Sequence, residues 1–114
     1  MSLDHFREYC LSLKGITEQI PFDENILVFK IMRKMFALCN MMTFEYCNLK
    51  FDPEKAIILR EEFTKVTPAW HMNKKHWNSE IFMGDLSNQK IENWVTDSYN
   101  LVVKNMPMKL REQL

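Results

Sequence analysis

Two histidines, two lysines and a tryptophan fall within seven residues, His71-Met72-Asn73-Lys74-Lys75-His76-Trp77, and no acidic residue occurs anywhere from 63 to 79. Such a set can hold a phosphate, present an aromatic anchor to a partner, or build a turn whose polar groups satisfy one another. Lysine ammonium groups neutralise backbone phosphates and release condensed counterions, so Lys74 and Lys75 carry the main electrostatic work of a polyanion site. Asn73 has the reach for a phosphate or a base edge. His71 and His76 are metal-ligand types, but an odd separation along a strand turns their side chains to opposite faces. No Cys-x-x-Cys accompanies them, and a third ligand would have to come from far along the chain, so neither a metal nor another cofactor is expected. With an ordinary histidine pKa of ~6.5, either ring would add positive charge in mildly acidic buffer.

Arg33, Lys34 and Lys50 supply further cations that could join this cluster. The formal net charge is zero, which excludes a generally basic nucleic-acid coat, yet the sign alternates in blocks: residues 25–44, 63–79 and 98–111 each carry +3, and the blocks before each of them are negative. A field distributed like that can orient a polyanion although the total vanishes. Catalysis has no comparable support. A dyad of Cys47 with a histidine lacks any feature that would activate the thiol, Ser98 and Tyr99 sit in a helical stripe as packing or hydrogen-bonding residues, and neither a Gly-rich phosphate loop nor a paired-carboxylate motif occurs. The chain reads as a binding protein and not an enzyme.

Positioning these residues falls to an ordered core. With 114 residues, 46% of them hydrophobic, the chain is expected to fold as one domain over 1–114. Cys10, Cys39 and Cys47 are odd in number and far apart, as expected of reduced thiols. Asp4, Arg7 and Glu8 interrupt the start of the chain, where a secretory signal would need an apolar run, and the longest uncharged stretch, 35–44, is too short to span a bilayer. A cytoplasmic location without membrane insertion follows as the expectation.

Ser2 can cap a helix with Leu3, Phe6, Cys10 and Leu13 on one side and Gly15 at a left-handed terminus. Residues 16–22 and 26–32 read as strands around the turn composition of Asp23-Glu24-Asn25, and a third strand begins after Arg33-Lys34. A tight two-residue turn prefers Asn or Gly, so a looser connection is expected between the second and third strands. Residues 44–51 form a fourth strand, and Asp52-Pro53 opens a helix carrying Ala56, Leu59 and Phe63. The stretch from Pro68 to Lys75 is a loop or the arm of a long hairpin, 76–83 returns to strand, and Gly84-Asp85 turns the chain. Ser87 caps a final helix striped by Ile91, Trp94, Val95, Ser98 and Val102. This order predicts an α+β domain with an antiparallel sheet of about five strands and helices on one face. Nine methionines serve mainly as core filling between sheet and helices.

Several segments in this order carry a family likeness: Leu27-Val28-Phe29-Lys30 running into Lys34-Met35-Phe36-Ala37-Leu38, then Asn48-Leu49-Lys50-Phe51-Asp52-Pro53-Glu54, then 71–78, and last Ser98-Tyr99-Asn100-Leu101-Val102. The chain resembles the MmcQ/YjbR family over essentially its whole length. That resemblance implies a compact two-layer α+β fold similar to the frataxin-like and secretion-chaperone-like folds, and DNA binding through paired hairpin wings. The departure lies at Met32-Arg33, where the family usually has glycines. The resulting expectation is a DNA-binding protein contacting phosphates with Arg33, Lys34, Lys50, His71, Asn73, Lys74, Lys75, His76 and Trp77. Its competitor is a non-enzymatic protein-interaction module, docking a partner chain as secretion chaperones do.

Overall fold

Three polar side chains start the three long helices. In the computed structural model, which describes residues 1–20, 25–69, 72–82 and 86–114, Ser2 Oγ accepts the His5 N–H at 3.1 Å and opens α1 (Leu3–Ser12). Asp52 does the same for α2 (Pro53–Glu62), with Pro53 at its first turn, and Ser87 for α3 (Asn88–Lys104). Each cap satisfies an amide that the helix itself leaves without a partner. A short α4 (Met108–Arg111) follows Pro107, and Gly15, at φ 80°, turns the chain after α1. The expected turns at Asp23-Glu24 and Gly84-Asp85, and the residues Trp70 and His71, lie outside the described residues.

The sheet has six strands: β1 (Ile16–Gln19), β2 (Ile26–Ile31), β3 (Lys34–Asn40), β4 (Tyr46–Lys50), β5 (Val66–Pro68) and β6 (Trp77–Ile81), in the order β1-β2-β3-β4-β6-β5. Every pairing is antiparallel. The strand beyond the expected five is β5, the arm of a hairpin with β6, short enough to close the sheet without a long open edge.

Cross-strand partners share a face. Phe29 pairs with Ala37, Ala37 with Leu49, Leu27 with Cys39 and Cys39 with Cys47, and all of these are buried on the side covered by helices. There Phe6 of α1 meets Phe29 edge-on at 5.8 Å between ring centres, and Phe63, just after α2, meets Trp94 of α3 at 5.2 Å. α2 reaches the same face of β6, where Asn78 Nδ2 donates to Ala56 O at 3.0 Å. Removing such large apolar side chains from water stabilises by roughly 1.5–3 kcal/mol apiece. Among the described residues no helix is long and apolar enough to cross a membrane.

The connection between β2 and β3 corrects the expectation of a loose loop. Ile31 pairs directly with Lys34, leaving only Met32 and Arg33 in the turn, at φ 49° and 69°. Two successive left-handed residues make the tight turn whose twist matches that of the strands. Each costs about 1–2 kcal/mol without glycine, and the burial of Ile31 and Phe29 on the strand behind it offsets that strain.

Candidate nucleic-acid interface

Antiparallel register decides which residues share an end of the sheet. Lys34 opens β3 beside the β2–β3 turn, Lys50 closes β4, and Lys50 pairs with Trp77, which opens β6. The Phe51 N–H donates to His76 O at 2.7 Å, tying the 72–76 turn to the end of β4. The turn cations, the end of β4 and the histidine-lysine segment therefore meet at one end of the molecule. Arg33, Lys34, Lys74 and Lys75 are exposed there and Lys50 is half-buried. The ion pairs found among the described residues, His5–Glu92, Arg7–Glu18 and Lys55–Asp97, involve none of Arg33, Lys34, Lys50 or Lys75, so these four keep their charge available.

Between Lys34 and Lys50 the sheet is held open. β3 and β4 pair from Cys39–Cys47 through Ala37–Leu49 and no further. At the next step Ser98 of α3 inserts its hydroxyl, donating to Phe36 O at 2.6 Å and accepting the Lys50 N–H at 2.9 Å. A buried serine thus replaces the ladder bond, satisfying both backbone groups while the strands splay. Beyond it opens a cleft of about 370 Å³ lined by Lys34, Met35, Lys50, Trp77, Val102, Asn105 and Met106. Two cations and one amide share its lining with the apolar side chains of Met35, Trp77, Val102 and Met106.

The 72–76 segment is a turn built around Asn73. Its carbonyl accepts the N–H groups of His76 and Trp77, and its Oδ1 accepts the Lys75 N–H at 3.0 Å, so the oxygen of this side chain is spent on shaping the turn. Met72 lies back over the helix-free face of the sheet, its sulfur accepting from Asn48 Nδ2 at 3.3 Å, while Asn48 Oδ1 accepts the Ser79 hydroxyl at 2.5 Å. Trp77 is only 7% exposed and forms part of the cleft wall. It offers no free ring face for stacking.

Residues 11–101 match the YjbR family. The chain belongs to the YjbR family. Among its relatives in Escherichia coli, YbdF is 36% identical over 87 residues, 75% of this chain and 71% of that protein, and YjbR is 28% identical over 115 residues, 100% of this chain and 98% of that protein. The crystal structure of the Deinococcus radiodurans protein DR2400 superposes with a TM-score of 0.91 at 31% identity, covering 98% of this chain and 86% of that one. A Pseudomonas syringae protein superposes at 0.73 with 25% identity, covering 89% of this chain and 98% of that one. The segments of YjbR likeness fall on the cleft: Lys34-Met35 and Lys50 on its two strand walls, Trp77 beside Lys50 on β6, and Ser98 with Val102 on the helix behind.

Met35, Val102, Asn105 and Met106 enter this YjbR-family site only through the structure. One signal for them lay in the α3 stripe, which places Ser98, Val102, Asn105 and Met106 at helical spacing below Lys50, but nothing in the sequence shows that the stripe ends in a cleft. The thiols take no part. Burial pushes Cys39 up to about 12 and raises Cys10 and Cys47 as well, leaving all three as poor nucleophiles.

Proposed function

We propose that this YjbR-family chain binds DNA without catalysing a reaction, laying one end of its sheet against backbone phosphates with Arg33, Lys34, Lys50, Lys74 and Lys75. The observation that carries the reading is the convergence of Arg33, Lys34, Lys50 and Lys75 at that end with no carboxylate partner among the described residues. Buried thiols with raised pKa values support a role without nucleophilic catalysis.

Four or five phosphate contacts give a slope of log affinity against log salt of about −4, so binding weakens roughly 250-fold between about 50 and 200 mM salt. Fluorescence anisotropy of a labelled duplex titrated across that range measures it. Lys34→Ala combined with Lys50→Ala makes the slope shallower by about two. Absence of binding at the lowest salt would end the reading. The competing role, a protein-docking module, draws on a groove of about 310 Å³ on the helix-free face, lined by Tyr46, Asn48, Thr67, Pro68, Ser79 and Ile81; a dimer that light scattering shows to be insensitive to salt would favour it.

A further inference from the structure

We infer that the cleft between β3 and β4 seats one unstacked nucleotide, its phosphate between Lys34 and Lys50 and its base against Met35 and the edge of Trp77, so that unpaired strands are preferred to duplex. The inference rests on the nucleic-acid reading above and adds to it the part of the ligand that enters the protein. Backbone contact alone would need only cations on a convex surface. Here the cations border a concavity, and the concavity is built: the Ser98 hydroxyl bridges Phe36 O and Lys50 N, fixing the splay of the strands without a ligand. At about 370 Å³ the cleft falls in the range of small-ligand sites, roughly 300–1,000 Å³.

Its chemistry is divided in the way a nucleoside phosphate is divided. Lys34 and Lys50 supply two positive charges on the strand side, whereas Met35, Trp77, Val102 and Met106 present apolar surface and Asn105 a single amide. The C-terminal end of α3 also borders the cleft at Asn105. Its carbonyl groups amount to about half a negative charge, which two ammonium groups outweigh. That residual field draws the phosphate toward the lysines and away from the helix, leaving the base to the apolar wall. A paired base in a duplex cannot enter such a site, because its face is stacked and its edge engaged, whereas a single strand can splay one base out at little cost. A free nucleoside monophosphate has the same two parts and is the second source of this chemistry.

Binding of labelled oligothymidylate to the unmutated chain, compared with a strand of the same length and phosphate number in which the bases are removed, tests the inference directly. The base-bearing strand is expected to bind about fivefold tighter, the effect of removing part of one base from water against apolar side chains. Asn105→Trp, which fills the cleft without changing charge, should erase that difference. Thymidine monophosphate that displaces the base-bearing strand more effectively than deoxyribose 5-phosphate does identifies the free nucleotide as a sufficient ligand; failure to displace, with the base preference intact, assigns the cleft to a nucleotide within a strand. Equal affinity for the two strands overturns the inference and leaves the phosphate reading standing. No binding of either strand at low salt overturns both.

Discussion

Glu80 stands fully buried on the helix-facing side of β6, opposite Cys47. The Cys47 thiol donates to Oε2 at 3.8 Å, and Oε1 has no hydrogen-bond partner among the described residues. Burial raises the carboxyl well above the ordinary glutamate range, because the charged form would sit in a low dielectric without a counterion. The sign follows from linkage. A carboxyl whose folded pKa exceeds its unfolded value contributes stability in full below about 4.3, and that contribution is lost as pH rises toward the folded pKa, by up to about 1.4 kcal/mol per pH unit. Glu80→Gln should therefore match the unmutated chain in urea unfolding near pH 5 and exceed it near pH 8. Parallel pH profiles for the two proteins would show that the buried carboxyl does not control stability. The helix caps Ser2, Asp52 and Ser87 were legible in the sequence because their cause is local, whereas the placement of Glu80 was not. In Trp77-Asn78-Ser79-Glu80-Ile81 the apolar residues point away from the helices and the polar Asn78 and Glu80 point inward, an inversion of the usual alternation. It is tolerated because Asn78 bonds to Ala56 O, and the 72–76 turn helps to cover the opposite face.

Elements whose cause is periodicity were legible and those whose cause is strain were not. The stripe Ile91, Trp94, Val95, Ser98 and Val102 is the buried set of α3, since a period of 3.6 residues is imposed by the helix itself. The β2–β3 turn was missed because its residues, Met32 and Arg33, argue against the left-handed geometry they adopt. An exposed arginine held at φ 69° at the tip of a hairpin keeps a cation where glycine would be more comfortable. Arg33→Gly should then move two measurements in opposite directions. Unfolding free energy rises by about 1 kcal/mol as the strain is relieved, and the salt slope of DNA binding becomes shallower by about one as a phosphate contact is lost. A variant that gains stability with its salt slope unchanged would remove Arg33 from the interface.

At the scale of the molecule, a net charge of zero hides a polar arrangement. Each antiparallel strand returns the chain to the end it left, so the charges are partly sorted toward two ends: Arg33, Lys34, Lys50, Lys74, Lys75 and, after α3, Lys109 and Arg111 lie toward one, where Asp52 and Glu54 open α2, while Glu45, Glu61, Glu62 and Glu92 lie toward the other with Lys65 and Lys90. The alternation was visible in the sequence, but the sorting required the strand order. The molecule measures 40 × 31 × 26 Å, and α2, with 10 residues, separates Glu61 and Glu62 from the basic end by about 15 Å, nearly twice the ~8 Å screening length at physiological salt. Placement should therefore matter more than total charge. Glu61→Lys with Glu62→Lys raises the net charge by four, and cations suit a helix C-terminus, so the fold is kept; DNA affinity near 0.15 M salt should change by less than about twofold. Lys34→Glu with Lys50→Glu lowers the net charge by the same amount at the other end and should abolish measurable binding. Shifts of equal size and opposite sign from the two pairs would mean that DNA responds to the bulk charge of the protein, and the Lys34–Lys50 end would lose its claim to be the interface.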